Sequence, residues 1–281
     1  MTEEASALDP GPLRRARSFL FVPADRPERF GRALDSGADA VVADLEDAVA
    51  PAAKDAALGH VLELLTQAPG TVVRINDPRA PRGAADLAGL AGLGRPVAVM
   101  VPKAENLDVL ARVQTALGPG AAVLPLIETA AGVLAAAALA AGLGVVRLIF
   151  GHLDLCAELS LRPEDGNALA PARFALIAAS AAAGLPAPVD GVCTEVRDAE
   201  RVLAETRASL ESGFSGKLCI HPDQVPLVHQ AMAPGEEDLA WARRVLAAVD
   251  EHGVGLVDGR MVDRPVYLRA RSIAARSTRL A

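Results

Sequence analysis

Two carboxylates close apolar runs, one after the other. Val123-Leu-Pro-Leu-Ile127 stops at Glu128, and Leu148-Ile-Phe150 leads through Gly151-His-Leu to Asp154. A hard divalent cation such as Mg²⁺, with Mn²⁺ as its substitute, takes one or two protein carboxylates and leaves its other positions to water and substrate oxygens. Alternatively, each acid caps the helix that follows it. Two acids ending neighbouring strands favour a shared metal. Arg74, inside Val72-Val-Arg-Ile-Asn76, is a cation in an apolar run and needs an anion. That anion is either Asp44, Glu46 or Asp47 from the preceding strand, or a substrate carboxylate received by its planar fork. Lys103, ending Val99-Met-Val-Pro-Lys, stands where a Schiff-base lysine would act, but an ion pair to a nearby acid is the preferred reading. His152 lies close enough to Asp154 to touch substrate, whereas His221, before Pro222, shapes a loop.

Such residues need elements that bring strand ends to one rim. Short apolar or β-branched runs alternate with Ala/Leu-rich helical stretches, the pattern of βαβ units. Strands are expected near 18–23, 40–46, 71–76, 97–102, 122–127, 146–151, 188–193 and 216–221. Helices are expected near 27–36, 51–66, 84–91, 106–117, 130–141, 168–183, 196–210 and 223–232. Eight such units predict an α/β fold, a (β/α)8 TIM barrel over residues 1–233, whose chemistry sits at the C-terminal ends of the strands. No G-x-G-x-x-G follows the first strand, which argues against a dinucleotide-binding sheet. Residues 234–281 exceed what the barrel needs. They read as a helix from Glu236, a hairpin turning at Asp258-Gly259, and a last helix from Pro265. This helix–hairpin–helix appendage is expected to serve as a lid or oligomerisation extension.

The bulk properties exclude several classes. The chain has 281 residues, 51% of them hydrophobic, enough for a substantial core. A net charge of -7 with no basic block argues against nucleic acid. No apolar stretch reaches membrane-spanning length, and the start Met-Thr-Glu-Glu is acidic, unlike a signal peptide. A cytoplasmic, soluble protein is expected. Cys156, Cys193 and Cys219 share no CxxC spacing, so neither a disulfide framework nor a zinc site is indicated.

Seven stretches occur in order: Arg17-Ser-Phe-Leu-Phe-Val-Pro23, Asp44-Leu-Glu-Asp-Ala-Val49, Val73-Arg-Ile-Asn76, Val101-Pro-Lys103, Pro125-Leu-Ile-Glu-Thr129, Gly151-His-Leu-Asp154 and Gly216-Lys-Leu-Cys-Ile-His-Pro222. Together they resemble the citrate lyase β-subunit-like proteins of the HpcH/HpaI aldolase superfamily, which also includes malyl-CoA lyases. The resemblance implies Mg²⁺ on Glu128 and Asp154, and a keto-acid or acyl portion held by Arg74 with Glu46, Asp47, Gly151 and Leu153 around it. It also implies an acid/base at Asp263, in Met261-Val-Asp-Arg-Pro265, acting across a subunit boundary. Asp263 could equally cap the final helix. Arg17 and Lys54 are the expected contacts to CoA phosphates. The chain departs from the family pattern at Val22-Pro-Ala-Asp-Arg-Pro27, where Pro-Gly is common, and at Glu158 and Ser160, where Asp and Gly are usual. Those departures bear on the acyl carrier and the substrate pocket.

The reaction implied is a reversible Claisen-type cleavage of a 3-hydroxyacyl-CoA thioester to an acyl-CoA and a 2-keto acid. The partners are small molecules, with a homotrimer or homohexamer in which the extension contacts a neighbouring subunit. Rival expectations are an acyl-CoA thioesterase or malate synthase-like activity, or an acyl-carrier-protein-dependent citryl lyase. More distant rivals are a Schiff-base aldolase at Lys103 and a non-catalytic binder of keto acid or CoA.

Overall fold

A computed structural model describes residues 8–164, 166–250 and 253–277. Eight parallel strands form: β1 (Ser18–Pro23), β2 (Ala40–Asp44), β3 (Val72–Arg74), β4 (Ala98–Val101), β5 (Ala122–Ile127), β6 (Ile149–Phe150), β7 (Val189–Asp190) and β8 (Gly216–Cys219). They pair in sequence order, and β8 returns to β1 to close the barrel. Around them run α1 (Gly11–Arg15), α2 (Phe30–Leu34), α3 (Lys54–Gln67), α4 (Pro81–Ala91), α5 (Leu107–Leu117), α6 (Ala130–Ala140), α7 (His152–Leu159), α8 (Gly166–Ala182), α9 (Ala199–Glu211) and α10 (Gln224–Met232).

Side chains alternate along each strand, so every second residue enters the barrel. Phe19, Val42, Val72, Met100, Leu124, Leu126, Ile149, Val189 and Leu218 meet there in one buried cluster. The same period of two carries Asp44 inward above Val42, Arg74 above Val72 and Glu128 above Leu126. The top layer of an apolar core is therefore ionisable, and it lies at the C-terminal ends of the strands. Strand register brings Asp44 beside Arg74 directly.

The N-terminal mouth is closed by α1, which the expected helix pattern lacked. Leu13 of α1 and the adjoining Ala16 join the core cluster. Fully buried Arg147 ties them down, donating to the carbonyls of Ala16 at 2.5 Å and Ala187 at 2.8 Å and to Ser215 Oγ at 2.9 Å. The sixth and seventh strands are shorter than expected. Their ladder contacts continue irregularly, through Val146 N–H to the Val123 carbonyl and Val189 N–H to the Leu148 carbonyl. After Phe150 the chain turns at Gly151 straight into α7, a second helix that the expected pattern lacked. That helix ends on Ser160 at φ 56, a left-handed conformation in which glycine carries no Cβ penalty. Glu158, the other departure, accepts the Ala130 N–H at 2.9 Å and so braces the start of α6.

The chain divides into two compact units, Met1–Val228 and His229–Ala281. The second holds α11 (Glu236–Ala248), the antiparallel hairpin β9 (Gly255–Val257) and β10 (Arg260–Val262), and α12 (Arg264–Ser277). Asp258 and Gly259 both have positive φ, as the tight hairpin turn requires. Its own core is Ala242, Val245, Val257, Val262, Ala270 and Ile273. No described helix is long and apolar enough to cross a membrane.

Candidate functional site

A cavity of about 430 Å³ opens at the C-terminal rim of the barrel. Asp44, Asp47, Arg74, Glu128 and Asp154 line it together with the apolar Phe21, Phe150, Leu153, Val192 and Leu218. Gly151 lies between them because nothing larger fits: a Cβ there would stand 2.5 Å from the Cβ of Glu128.

Neither expected metal ligand caps a helix. Thr129, not Glu128, is the cap of α6, its Oγ1 accepting the Gly132 N–H at 3.1 Å. Asp154 lies in the first turn of α7, where no side chain caps the helix, and it is exposed to solvent. Glu128 is 1% exposed and accepts the Lys103 backbone N–H at 2.8 Å. Burial, the charge of Glu46 and that of Asp154 push the Glu128 carboxyl up to about 8, against the opposing pull of Lys103. Two hard oxygen donors thus face one cavity, and the buried one is destabilised as a bare anion. That combination fits Mg²⁺, which needs only one or two protein carboxylates. Among the described residues no cluster of three or more His, Cys, Asp or Glu side chains exists, so a closed transition-metal site is not formed.

Arg74 is gripped from behind. Its Nε and Nη2 donate to the two oxygens of Asp44 at 2.7 and 2.6 Å, a bidentate pair, and Phe21 lies 4.9 Å beneath the guanidinium. Burial works against the charge, but Asp44, Glu46 and Asp47 more than offset it and raise the pKa. Asp47 stands 4.0 Å from Nη1 and is largely exposed. Glu46 does not line the cavity. It lies behind, with Oε2 at 3.1 Å from Arg74 Nη1 and Oε1 at 2.7 Å from Lys103 Nζ. Burial opposes the Lys103 charge, yet its hydrogen bond and ion pair with Glu46 raise its pKa. The ion-pair reading of Lys103 is therefore the one the geometry supports, since a Schiff-base lysine must reach its neutral form.

Two expected contacts do not line the rim cavity. Arg17 precedes β1, and its backbone N–H and Nε both meet Asp39, at 2.6 and 3.4 Å. The six residues of β1 separate it from the rim by about 20 Å. Lys54 is near the rim, but its ammonium donates to the Leu45 carbonyl at 2.9 Å, the Glu46 carbonyl at 3.0 Å and Asn76 Oδ1. Those three bonds leave no donor for a phosphate. Asp263 belongs to the second unit, where its Oδ1 accepts the Val266 N–H at 3.3 Å and caps α12.

His152 is buried, and burial lowers its pKa, so it is neutral near pH 7. It forms a wall, with Leu153 and Val192, between the rim cavity and a second one of about 520 Å³. The cations of that second cavity are matched within the chain: Arg173 and Lys217 reach Asp190 Oδ2 at 3.0 and 3.6 Å, and Arg201 reaches Glu205 at 2.6 Å. The sequence reading missed this Asp190 cluster, although the isolated Lys217 inside an apolar strand was a visible signal. The rim cavity, with its uncompensated carboxylates, is the better candidate for chemistry.

Residues 17–222 match the family described as HpcH/HpaI aldolase/citrate lyase. A citrate lyase subunit beta-like protein from Mycobacterium tuberculosis is 42% identical over 267 residues, 92% of this chain and 94% of that protein. A (3S)-malyl-CoA thioesterase from Cereibacter sphaeroides is 32% identical over 278 residues, 94% of this chain and 95% of that one. The crystal structure of protein CitE from Mycobacterium tuberculosis in complex with magnesium, acetoacetate and coenzyme A superposes with a TM-score of 0.82. It is 39% identical and covers 94% of this chain and 99% of its own. Similarity of this extent reaches from the first barrel strand through the rim into the C-terminal extension, and the chain belongs to the HpcH/HpaI aldolase/citrate lyase family.

Proposed function

We propose that the protein is a Mg²⁺-dependent carbon–carbon lyase acting on a 3-hydroxyacyl-CoA thioester of the malyl-CoA or citramalyl-CoA type. The observation that carries the reading is the buried Glu128 carboxylate, pushed up to about 8 beside Asp154, in the cavity that Arg74 also lines. Mg²⁺ at Glu128 and Asp154 supplies Lewis-acid polarisation of the keto-acid carbonyl. Arg74, immobilised by Asp44, receives the keto-acid carboxylate and orients it, with Gly151 and Leu153 shaping the floor. Phe21, Phe150, Val192 and Leu218 form the apolar wall that keeps water from the thioester end. In cleavage the hydroxyl proton passes to water at the open rim, the carbon–carbon bond breaks, and the keto acid departs. The electron pair remains as the thioester enolate, which takes up a proton at carbon. Asp263 of a neighbouring copy delivers that proton through its second carboxyl oxygen, and removes it in the synthetic direction. In this reading the C-terminal unit serves a homotrimer or homohexamer.

Hydrolysis of the same thioester is the second reading, favoured by the similarity to the Cereibacter sphaeroides thioesterase. One assay separates the two. The protein is incubated with Mg²⁺, acetyl-CoA or propionyl-CoA, and glyoxylate, pyruvate or oxaloacetate, and products are identified by mass. A condensed acyl-CoA supports the lyase, free CoA with a hydroxy acid supports hydrolysis, and no product with no CoA binding rejects both.

A further inference from the structure

Arg74 has one guanidinium nitrogen that its anchor does not use. Nε and Nη2 are occupied by Asp44, whereas Nη1 faces Glu46 and Asp47. Glu46 is close enough to quench it, at 3.1 Å, yet its Oε2 is buried without a hydrogen bond. The well-formed bond of Glu46 runs the other way, from Lys103 Nζ to Oε1 at 2.7 Å. Lys103 makes a second contact, through its backbone N–H to Glu128 Oε1 at 2.8 Å. Both contacts depend on an unusual backbone, because Lys103 adopts φ 47, a left-handed conformation costly for a residue with a side chain. A turn alone would be served by glycine or asparagine at no such cost.

We infer that Lys103 is a positioning residue for keto-acid recognition: its ammonium takes the hydrogen bond of the Glu46 carboxylate and leaves Glu46 only ion-paired with Arg74 Nη1, so that the Nη1 donors can turn to an incoming substrate carboxylate. The inference rests on the keto-acid reading of Arg74 given above. It also accounts for three anions around one arginine without loss of its binding capacity. Asp44 anchors the guanidinium, Lys103 restrains Glu46, and exposed Asp47 is screened by solvent. Without the ammonium, Glu46 turns its charge wholly onto Arg74, and the substrate must compete with a buried carboxylate for the same nitrogen.

The test is a set of calorimetric titrations with pyruvate, in saturating Mg²⁺, and with Mg²⁺ alone. Lys103→Met is expected to weaken pyruvate binding about tenfold, the scale of one charge-assisted hydrogen bond, without weakening Mg²⁺ binding measured near pH 9, where Glu128 is largely ionised. Lys103→Gly, which fits the left-handed backbone and keeps the N–H to Glu128, is expected to behave alike and guards against misfolding. Adding Glu46→Gln to Lys103→Met removes the competing charge and is expected to restore pyruvate affinity to within about threefold. Unchanged pyruvate binding in both single variants would overturn the inference, as would a double variant that binds pyruvate no better than Lys103→Met. If the unaltered protein binds no pyruvate, the keto-acid reading itself fails.

Discussion

Binding of Mg²⁺ should expel a proton from Glu128. Its carboxyl is pushed up to about 8 in the metal-free protein, so near neutral pH it is mostly protonated, and the ion must displace that proton. The apparent dissociation constant then exceeds the limiting one by a factor of about one plus 10 to the power (8 minus pH), roughly a hundredfold near pH 6, tenfold near pH 7 and twofold near pH 8. Glu46, whose pKa burial also raises, acts in the same direction through its charge on Glu128. Stability follows with a definite sign. A carboxyl whose folded pKa lies above its ordinary 4.5 favours the fold below that value, and the advantage is lost as pH rises through about 8. The metal-free protein should therefore lose stability over that window, and Mg²⁺ should raise Tm more near pH 8 than near pH 6. Calorimetry of Mg²⁺ binding in buffers of different protonation enthalpy counts the protons, with close to one expected per ion near pH 7 and almost none above pH 9. An affinity that stays flat between pH 6 and 8, with no proton released, would refute the assignment of Glu128 as a buried ligand.

Three further outcomes follow from contacts at the rim and the hairpin. Gly151→Ala places a methyl group 2.5 Å from the Glu128 Cβ and should weaken Mg²⁺ binding by an order of magnitude, read by the same calorimetry. Arg74→Met should abolish measurable pyruvate binding. It should also lower stability by about 3–5 kcal/mol, because Asp44 is left buried and unpaired, and denaturant unfolding measures that loss. Asp263→Asn should leave Tm nearly unchanged, since asparagine caps a helix as well as aspartate. It should slow turnover and deuterium exchange at the acyl carbon by a factor on the order of 10²–10⁴, the scale of a lost general acid/base.

How much of this was legible beforehand depended on the kind of signal. The eight strands could be read because short, nearly continuous apolar runs, as strands buried on both faces require, alternate with Ala/Leu-rich helical stretches; which face Asp44, Arg74 and Glu128 take came only with the barrel register. The choice between helix cap and metal ligand could not be read, because both roles put an acid just after a strand. It turned on which oxygen the first-turn amides find, and at α6 that oxygen belongs to Thr129. Lys103 was legible as an ion pair but not as a left-handed residue, since lysine carries no propensity for that backbone and only tertiary contacts hold it there.

Arg17 shows what a motif does not say about position. It shares one run with Pro23, yet the two ends of one strand open on opposite mouths of the barrel, and a parallel barrel does chemistry at only one. A cation entering a strand and a cation leaving it are equivalent in sequence. In the fold they are about 20 Å apart, and of the two only the leaving one, as at Arg74, lines the rim cavity.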